Sequence, residues 1–281
     1  MSSSAPALFD RALLLQRQAR AQKLGAATFL LDRVAEDMEE RLCAVKREFS
    51  AAADVWTPGD GVLPRDRFKG FTRVAPTQDE ALPLRPETLD LVVSALAFQF
   101  VNDLPGVLAQ IRRALKPDGL LLAAMIGGDS LSELRQSFAA AEAECEGGVS
   151  PRVAPFADLR DVGALLQRAG LALPVTDVDR VVVRYANTFA LMADLRRMGA
   201  TNILLDRRRG PTRRVTMLRM AQIYSERFAD PDGRIRATFD VVWLSAWAPH
   251  ESQQKPLRPG SATASLEEAV RKVSPSPGKG G

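Results

Sequence analysis

The chain has 281 residues, of which 46% are hydrophobic and 26% charged, a composition typical of a globular protein large enough to bury a substantial core. Its net charge of +4 is small, and its arginine clusters carry no interleaved aromatic side chains, which argues against nucleic-acid binding. Two cysteines without metal-binding spacing and a single histidine, His250, exclude a histidine-rich metal site and give no support to a hydrolase triad.

The first 48 residues are predicted to form an N-terminal helical extension. Apolar residues at spacings of three and four indicate a helix over residues 28–47. The arginine-rich start resembles a transit peptide, but the same pattern suits an ordinary amphipathic helix, which we favour because no processing site is evident. No apolar run is long enough to cross a bilayer, so peripheral membrane association is the membrane role that stays open.

A strand, a helix, a strand and a helix follow one another in the middle of the chain. Short strands are predicted at residues 51–56 and 71–74, and buried strands at 89–96 and 120–126. Asn102 or Asp103 is expected to cap the intervening helix, and residues 116–119 are expected to form a turn. Ser130 and Glu133 have the spacing of a capping box for a helix that ends near Cys145. This succession indicates a parallel α/β sheet.

The second half continues the pattern and then closes it. Helices are predicted at residues 159–169, 188–198 and 212–228, and strands at 180–185 and 239–247, the last antiparallel. We therefore predict a doubly wound, mostly parallel, Rossmann-like α/β domain at 49–255, with a helical insertion at about 188–230. The Pro-, Gly- and Ser-rich residues 256–281 are predicted to be a disordered tail.

Four motifs in fixed order carry a family resemblance. They are residues 79–84, DEALPL; 89–94, LDLVVS; 101–105, VNDLP; and 115–119, LKPDG. Together they resemble the class I S-adenosylmethionine-dependent methyltransferases. The resemblance implies that S-adenosylmethionine is the cofactor, that the acidic stretch before Leu82 meets its adenine, and that the end of the LDLVVS strand lines the site.

A closer resemblance extends over most of the chain. It includes residues 8–11, 127–135, 146–152, 198–202 and 250–253. These segments look like the methyltransferase-like assembly factors of respiratory complex I and their bacterial relatives, with the methyltransferases of biotin synthesis as more distant cousins. The resemblance implies a complex I subunit as partner and either a bacterial cytoplasm or a mitochondrial matrix as location. The mitochondrial member is associated with arginine hydroxylation, so methyl transfer, hydroxylation and a donor-free assembly role all stay open.

The chain departs from the family where the donor is expected to bind. A glycine-rich loop normally follows the first strand, because only glycine lets the backbone approach the donor closely. Here Trp56 and Pro58 occupy positions where small residues belong, although Asp54 keeps the acidic position. Residues 56–88 are too few for the usual two strands and their helices, since a single βαβ unit takes roughly 30 residues. The first half of the sheet is therefore predicted to be truncated.

Site residues follow from these alignments, while the catalytic residues stay unidentified and no metal site is expected. The donor-binding candidates are Asp54, Thr57, Gly59, Gly61, Gln78, Asp79, Ser94 and Leu96. The substrate-binding candidates are Gln99, Phe100, Asn102, Asp103, Gly127, Gly128 and Asp129. Several have equally simple structural roles, such as turn formation for the glycines and helix capping for Asn102 and Asp103.

Overall fold

A computed structural model of the protein describes residues 7–254, and its centre is a six-stranded sheet. The strands are β1 Ala51–Val55, β2 Gly70–Val74, β3 Leu89–Ala95, β4 Leu115–Gly127, β5 Ala172–Tyr185 and β6 Ile235–Trp247. Their order in the sheet is β2-β1-β3-β4-β6-β5. The first four strands pair in parallel, and β6 runs antiparallel to both of its neighbours.

Helices cover both faces of this sheet. They are α1 Arg11–Lys23, α2 Phe29–Ala44, α3 Leu104–Ala114, α4 Ser132–Glu146, α5 Leu159–Arg168, α6 Thr188–Arg197 and α7 Arg214–Phe228. One core cluster joins α2, α4, α6 and α7 to one face, and a second joins α3 and α5 to the other. The predicted doubly wound, mostly parallel fold with an antiparallel last strand is confirmed.

The first half of the sheet is short, as predicted. Its strands β1 and β2 have five residues each, against 13 or 14 in β4, β5 and β6. Only a 3-10 turn, Arg65–Arg67, lies between β1 and β2, and no helix of the described chain lies between β2 and β3. Both connections are therefore loops, which leaves the carboxyl ends of β1 and β2 without a covering crossover helix of their own.

Three local predictions were wrong. Strand β5 begins at Ala172 rather than residue 180, and residues 116–119 lie inside β4, where the pairing register with β3 shifts. The capping box does not form, because the N-cap of α4 is Leu131. Instead, the Ser130 hydroxyl donates to the Gly127 carbonyl at 2.6 Å and accepts from the Asp240 amide at 2.8 Å, while Glu133 accepts from Thr238 on β6.

The N-terminal helices attach to the sheet in different ways. Helix α2 buries Leu30, Val34, Met38 and Leu42 in the main core. Helix α1 instead belongs to a small third cluster with Phe9, Leu14, Phe100, Ile203 and Leu204. The described residues up to Pro249 form one compact unit, so the boundary at residue 48 stays a prediction, and the predicted tail at 256–281 lies outside the described residues.

Candidate functional site

A large cavity opens at the carboxyl edge of the sheet. The chain passes from β1 to β2 on one side and then to β3 on the other, so the connections diverge between β1 and β3. Open α/β sheets bind ligands at such a switch point. The cavity there has a volume of about 1340 Å³, and its sheet side is lined by residues after β1, β2 and β3 and by Ile126 of β4. This volume exceeds what one small cofactor needs.

The loop after β1 is held in place by the buried side chain of Asp54 beneath it. Asp54 is fully buried, and its Oδ2 accepts a hydrogen bond from the Val62 amide at 3.1 Å. Gly61 has a φ of +92°, and a Cβ atom there would lie 2.6 Å from the same Oδ2. From β2, the Arg73 guanidinium donates to the carbonyls of Thr57, at 3.0 Å, and Gly59. Asp54, Gly61 and Arg73 thus fix the loop whose opposite side faces the cavity.

Burial raises the pKa of the Asp54 carboxyl above its ordinary value, although Thr57, the Val62 amide and the charge of Arg73 act against that rise. Asp54 does not line the cavity, whereas Thr57 and Gly59 do. The Thr57 hydroxyl also accepts from the Ala95 amide at 3.0 Å, which ties the loop to the end of β3. Asp54 and Gly61 therefore shape the loop, and Thr57 and Gly59 present it to the cavity.

Trp56 occupies the position of an expected small residue without blocking the cavity. Its φ of +62° turns the backbone, and its side chain is buried in the core cluster beneath α3. The indole meets Phe98 edge-on with ring centroids 6.5 Å apart, and the Arg11 guanidinium carbon lies 5.0 Å from its centroid. The departure from the glycine-rich pattern is accommodated inside the protein. Pro58, in contrast, does line the cavity.

The loop after β3 forms the next part of the cavity wall. Leu96, with a φ of +51°, and the side chains of Gln99 and Phe100 line the cavity. The Gln99 amide group donates to the Leu96 carbonyl at 2.7 Å and accepts from the Ile126 amide at 3.4 Å, so it bridges the ends of β3 and β4. Ser94 is fully buried outside the lining, and its hydroxyl has no hydrogen-bond partner within residues 7–254.

The acidic segment before Leu82 lies away from the cavity. Gln78 and Asp79 are exposed and do not line it, so their donor-binding role stays a prediction. The buried carboxylate of this segment is that of Glu80, which was not among the residues predicted from the sequence. Its two oxygens accept from the Asn102 and Asp103 amides at 2.8 and 2.9 Å.

Arg11 of α1 completes this buried polar group. Its guanidinium lies 3.4 Å from Glu80 and donates to the carbonyls of Thr77, at 2.9 Å, and Phe100, at 3.3 Å. Burial lowers the pKa of Arg11, against the opposing charge of Glu80. The Arg11–Glu80 pair therefore fastens α1 to the loops that follow β2 and β3.

Asn102 and Asp103 are both occupied by structural contacts. Asp103 caps α3 by accepting from the Gly106 amide at 2.9 Å, as expected. The Asn102 side chain accepts from the amides of Leu8 and Phe9, each at 2.8 Å, and donates to the Phe9 carbonyl at 3.1 Å. Neither residue lines the cavity, and Asn102 instead anchors the segment that leads into α1.

The glycine turn after β4 approaches other parts of the protein closely. A Cβ atom at Gly127 would lie 2.5 Å from Val242, and one at Gly128 would lie 2.7 Å from the Asp240 carboxylate. The Asp129 amide donates to that carboxylate at 3.0 Å. None of the three residues lines the cavity, so their substrate-binding role stays a prediction beside this packing role.

Two further walls come from outside the sheet edge. An apolar wall is formed by residues that include Leu131, Leu134, Phe138, Phe156 and Phe239. A polar wall is formed by α1, α6 and the following loop, through residues that include Arg17, Gln18, Gln22, Arg196 and Asn202. The sequence analysis missed both walls, because no local pattern shows that α1 lies beside α6.

No group of three or more His, Cys, Asp or Glu side chains within residues 7–254 is arranged to hold a metal ion. In the same part of the chain, no helix is long and apolar enough to cross a membrane. His250, the single histidine, is exposed, and its Nδ1 lies 2.6 Å from the Ser252 hydroxyl.

Comparison with known proteins agrees with this architecture. A sequence family described as a methyltransferase domain matches residues 31–123. The human mitochondrial arginine-hydroxylase NDUFAF5 is 45% identical over 190 residues, 68% of this chain and 55% of that protein. The malonyl-[acyl-carrier protein] O-methyltransferase of Xylella fastidiosa is 32% identical over 253 residues, 86% of this chain and 83% of that protein.

These matches differ in extent. The chain spans about half the length of the arginine-hydroxylase relatives, between 44% and 58% of each. A solved Bacillus halodurans structure assigned to the methyltransferases has a TM-score of 0.50 at 14% identity, covering 76% of this chain and all of that one, and it shows the fold alone. The chain therefore belongs to the class I S-adenosylmethionine-dependent methyltransferase family.

Proposed function

We propose that the protein is a methyltransferase that binds S-adenosylmethionine in the cavity at the carboxyl edge of β1 and β3. One observation carries the proposal: Thr57, Gly59 and Leu96, predicted as donor-binding residues from the sequence, line a single cavity at the switch point of the sheet. Gly59 has a φ of +65°, and the nearest atom to a Cβ there would be Leu31 at 4.0 Å. The loop thus has an open side at which a ligand can approach its backbone.

The chain's own groups bind and position the reactants. Bound S-adenosylmethionine supplies an electrophilic methyl group, so the protein needs mainly to orient the acceptor and exclude water. Thr57, Gly59 and Leu96 are assigned to the donor, while Gln99 and Phe100 border the space for the acceptor. Helix α1 lines another side of the cavity and is held there by Arg11 and by the contacts of Asn102 with the segment that precedes the helix. A protein side chain or a small molecule is the acceptor class we propose.

We further propose a role in the assembly of respiratory complex I, with a subunit of that complex as the partner. The support is the identity of 43–45% to proteins named as mitochondrial arginine-hydroxylase NDUFAF5, together with the motifs shared with that group. The location proposed is the cytoplasm for a bacterial protein and the mitochondrial matrix for a eukaryotic one. The hydroxylase relatives make arginine hydroxylation the competing reaction, and a donor-free assembly role is the competing non-enzymatic function.

Isothermal titration of the full chain with S-adenosylmethionine tests donor binding. We expect micromolar affinity in the wild type and a loss of about tenfold or more in Gly59→Val, because a branched side chain would enter the lining of the cavity. Gly147→Val is the matched control, since Gly147 has a similar φ of +70° at the end of α4 and does not line the cavity.

No binding by the wild type would refute a donor-dependent methyltransferase. Co-purification with complex I subunits would then support the donor-free assembly role. If the donor binds, mass spectrometry of a modified partner distinguishes an added methyl group from an added oxygen atom, and so separates methyl transfer from hydroxylation.

A further inference from the structure

The lining of the cavity carries more positive than negative charge. Among residues 7–254, five arginines line the cavity, against a single carboxylate, Asp60. The arginines are Arg17, Arg73, Arg152, Arg196 and Arg197. A cavity lined by one sign of charge concentrates ligands of the opposite sign.

Two of these arginines are paired with carboxylates, and a third is hydrogen-bonded to the loop after β1. Arg152 is bound to the buried carboxylate of Glu142. Arg197 lies 3.6 Å from Asp194 and donates to the Gly25 carbonyl at 2.7 Å. Arg73 holds the loop after β1 through carbonyl groups. Arg17 and Arg196 remain, and within residues 7–254 neither makes an ion pair with a carboxylate.

Arg17 and Arg196 belong to a larger cluster of like charges. Burial and then the neighbouring charges of Arg207, Arg20 and Arg196 lower the pKa of Arg17. The charge of Asp10 opposes this effect on Arg17, and Asp10 is paired with Arg207 at 3.3 Å. Arg17 donates to the Asn202 carbonyl, which fixes its position without neutralising its charge. Guanidinium groups gathered at a cavity wall in this way match the planar oxygens of phosphate and carboxylate groups.

S-adenosylmethionine does not complement this wall, because its sulfonium and ammonium groups outnumber its one carboxylate. We propose that Arg17 and Arg196 bind a multivalent anionic group, phosphoryl or clustered carboxylate, on the substrate that shares the cavity with the donor. That this anionic group belongs to a substrate rests on the proposed function, and the arginines then indicate that the methyl acceptor is negatively charged. The anion site itself is inferred from Arg17 and Arg196, which line the cavity without an ion pair to a carboxylate within residues 7–254.

Titration of the full chain with inorganic pyrophosphate and, separately, with citrate at low ionic strength tests the site. We expect saturable binding of one anion per chain, weakened about fivefold to tenfold in Arg196→Gln and more in the double variant Arg17→Gln/Arg196→Gln. Arg196 is exposed, so its replacement leaves the fold intact even if the partly buried Arg17 does not tolerate change. The matched control is Arg160→Gln, an exposed arginine of α5 that does not line the cavity.

The preferred probe identifies the source of the anion: tighter pyrophosphate binding indicates a phosphoryl group, and tighter citrate binding indicates clustered carboxylates. Absence of binding to the wild type, or equal binding by the wild type and Arg196→Gln, would overturn the proposal. Donor affinity is measured in the same variants and is expected to be unchanged. A protein that binds pyrophosphate but not S-adenosylmethionine would contradict the proposed function and leave the anion site standing.

Discussion

Two glycine turns at the carboxyl edge of the sheet look alike in sequence and differ in what they face. In the loop after β1, Gly61 lies against the carboxylate of Asp54, and in the turn after β4, Gly128 lies against the carboxylate of Asp240. At both places a Cβ atom would come within 3 Å of a carboxylate oxygen, at 2.6 and 2.7 Å. Glycine is therefore required in each turn by a contact within the protein, before any ligand is considered.

The two turns differ in whether they line the cavity and in how their buried carboxylates are bound. The β1 loop presents Gly59 to the cavity, whereas no residue of Gly127–Asp129 lines it. The Arg180 guanidinium donates two hydrogen bonds to Asp240, at 2.7 and 2.9 Å. Asp54 accepts from the Val62 amide, and the charge of Arg73 only acts to lower its pKa. A pair of glycines at a strand end is thus weak evidence for a ligand. A glycine at which an added Cβ atom would meet open space, as at Gly59, is better evidence for a ligand.

Replacing the two contact glycines gives the largest expected effect. Gly61→Ala and Gly128→Ala should each lower the free energy of unfolding by about 2–4 kcal/mol, because the new methyl group meets a fixed carboxylate at a positive φ. Gly59→Ala is the matched control and should cost only about 1 kcal/mol, since its φ is also positive but its surroundings are open. Urea denaturation of the three variants measures the difference. Equal losses in all three would mean that backbone conformation alone requires these glycines.

The sequence predicted the parts of the fold that local pattern determines. Continuous apolar runs located β3 and most of β4 and β6, and the short stretch between β1 and β3 indicated the truncated crossovers. The first half of β5 escaped prediction because it lies at the sheet edge and carries Asp177 and Asp179. These residues pair with Arg41 and Arg33 of α2, more than a hundred positions away in sequence.

The same division holds for the candidate site. Thr57, Gly59, Leu96, Gln99 and Phe100 follow strand ends and line the cavity, but Gly61 and Asn102 also follow strand ends and do not, so a correct strand assignment predicts the edge of the sheet and not each side chain that lines the cavity. The role of Gly128 depends on its contact with Asp240, and the polar wall of the cavity depends on α1 lying beside α6. Neither contact is local in sequence, and no motif records it. Arg11 stood in a recognised motif, but its buried pairing with Glu80 required the tertiary structure.

Replacing Asp240 tests what its charge contributes to the glycine turn after β4. Although burial acts to raise it, the pKa of Asp240 lies below its ordinary value, because Arg180 and the Asp129 amide bind the ionised carboxylate. Asp240→Asn should therefore destabilise the protein at neutral pH by about 1–2 kcal/mol, a modest loss because Arg180 is largely exposed. The stabilisation is present above the ordinary aspartate pKa and is lost as pH falls through the lowered one. Melting temperatures of both proteins should converge in acid, and a constant difference would refute the assignment.

Asp54→Asn should show the opposite pH dependence and the smallest effect. Because burial raises the pKa of Asp54, the folded state favours its protonated form, and stability falls as pH rises from the ordinary value of 3.8 through the raised one. The asparagine variant avoids this loss and can still accept from the Val62 amide. At neutral pH it should equal the wild type or exceed it by up to about 1 kcal/mol, and in acid any advantage should vanish. Urea denaturation across this pH range measures it. A clear loss of stability at neutral pH would mean that the ionised carboxylate holds the loop, as it does in the turn after β4.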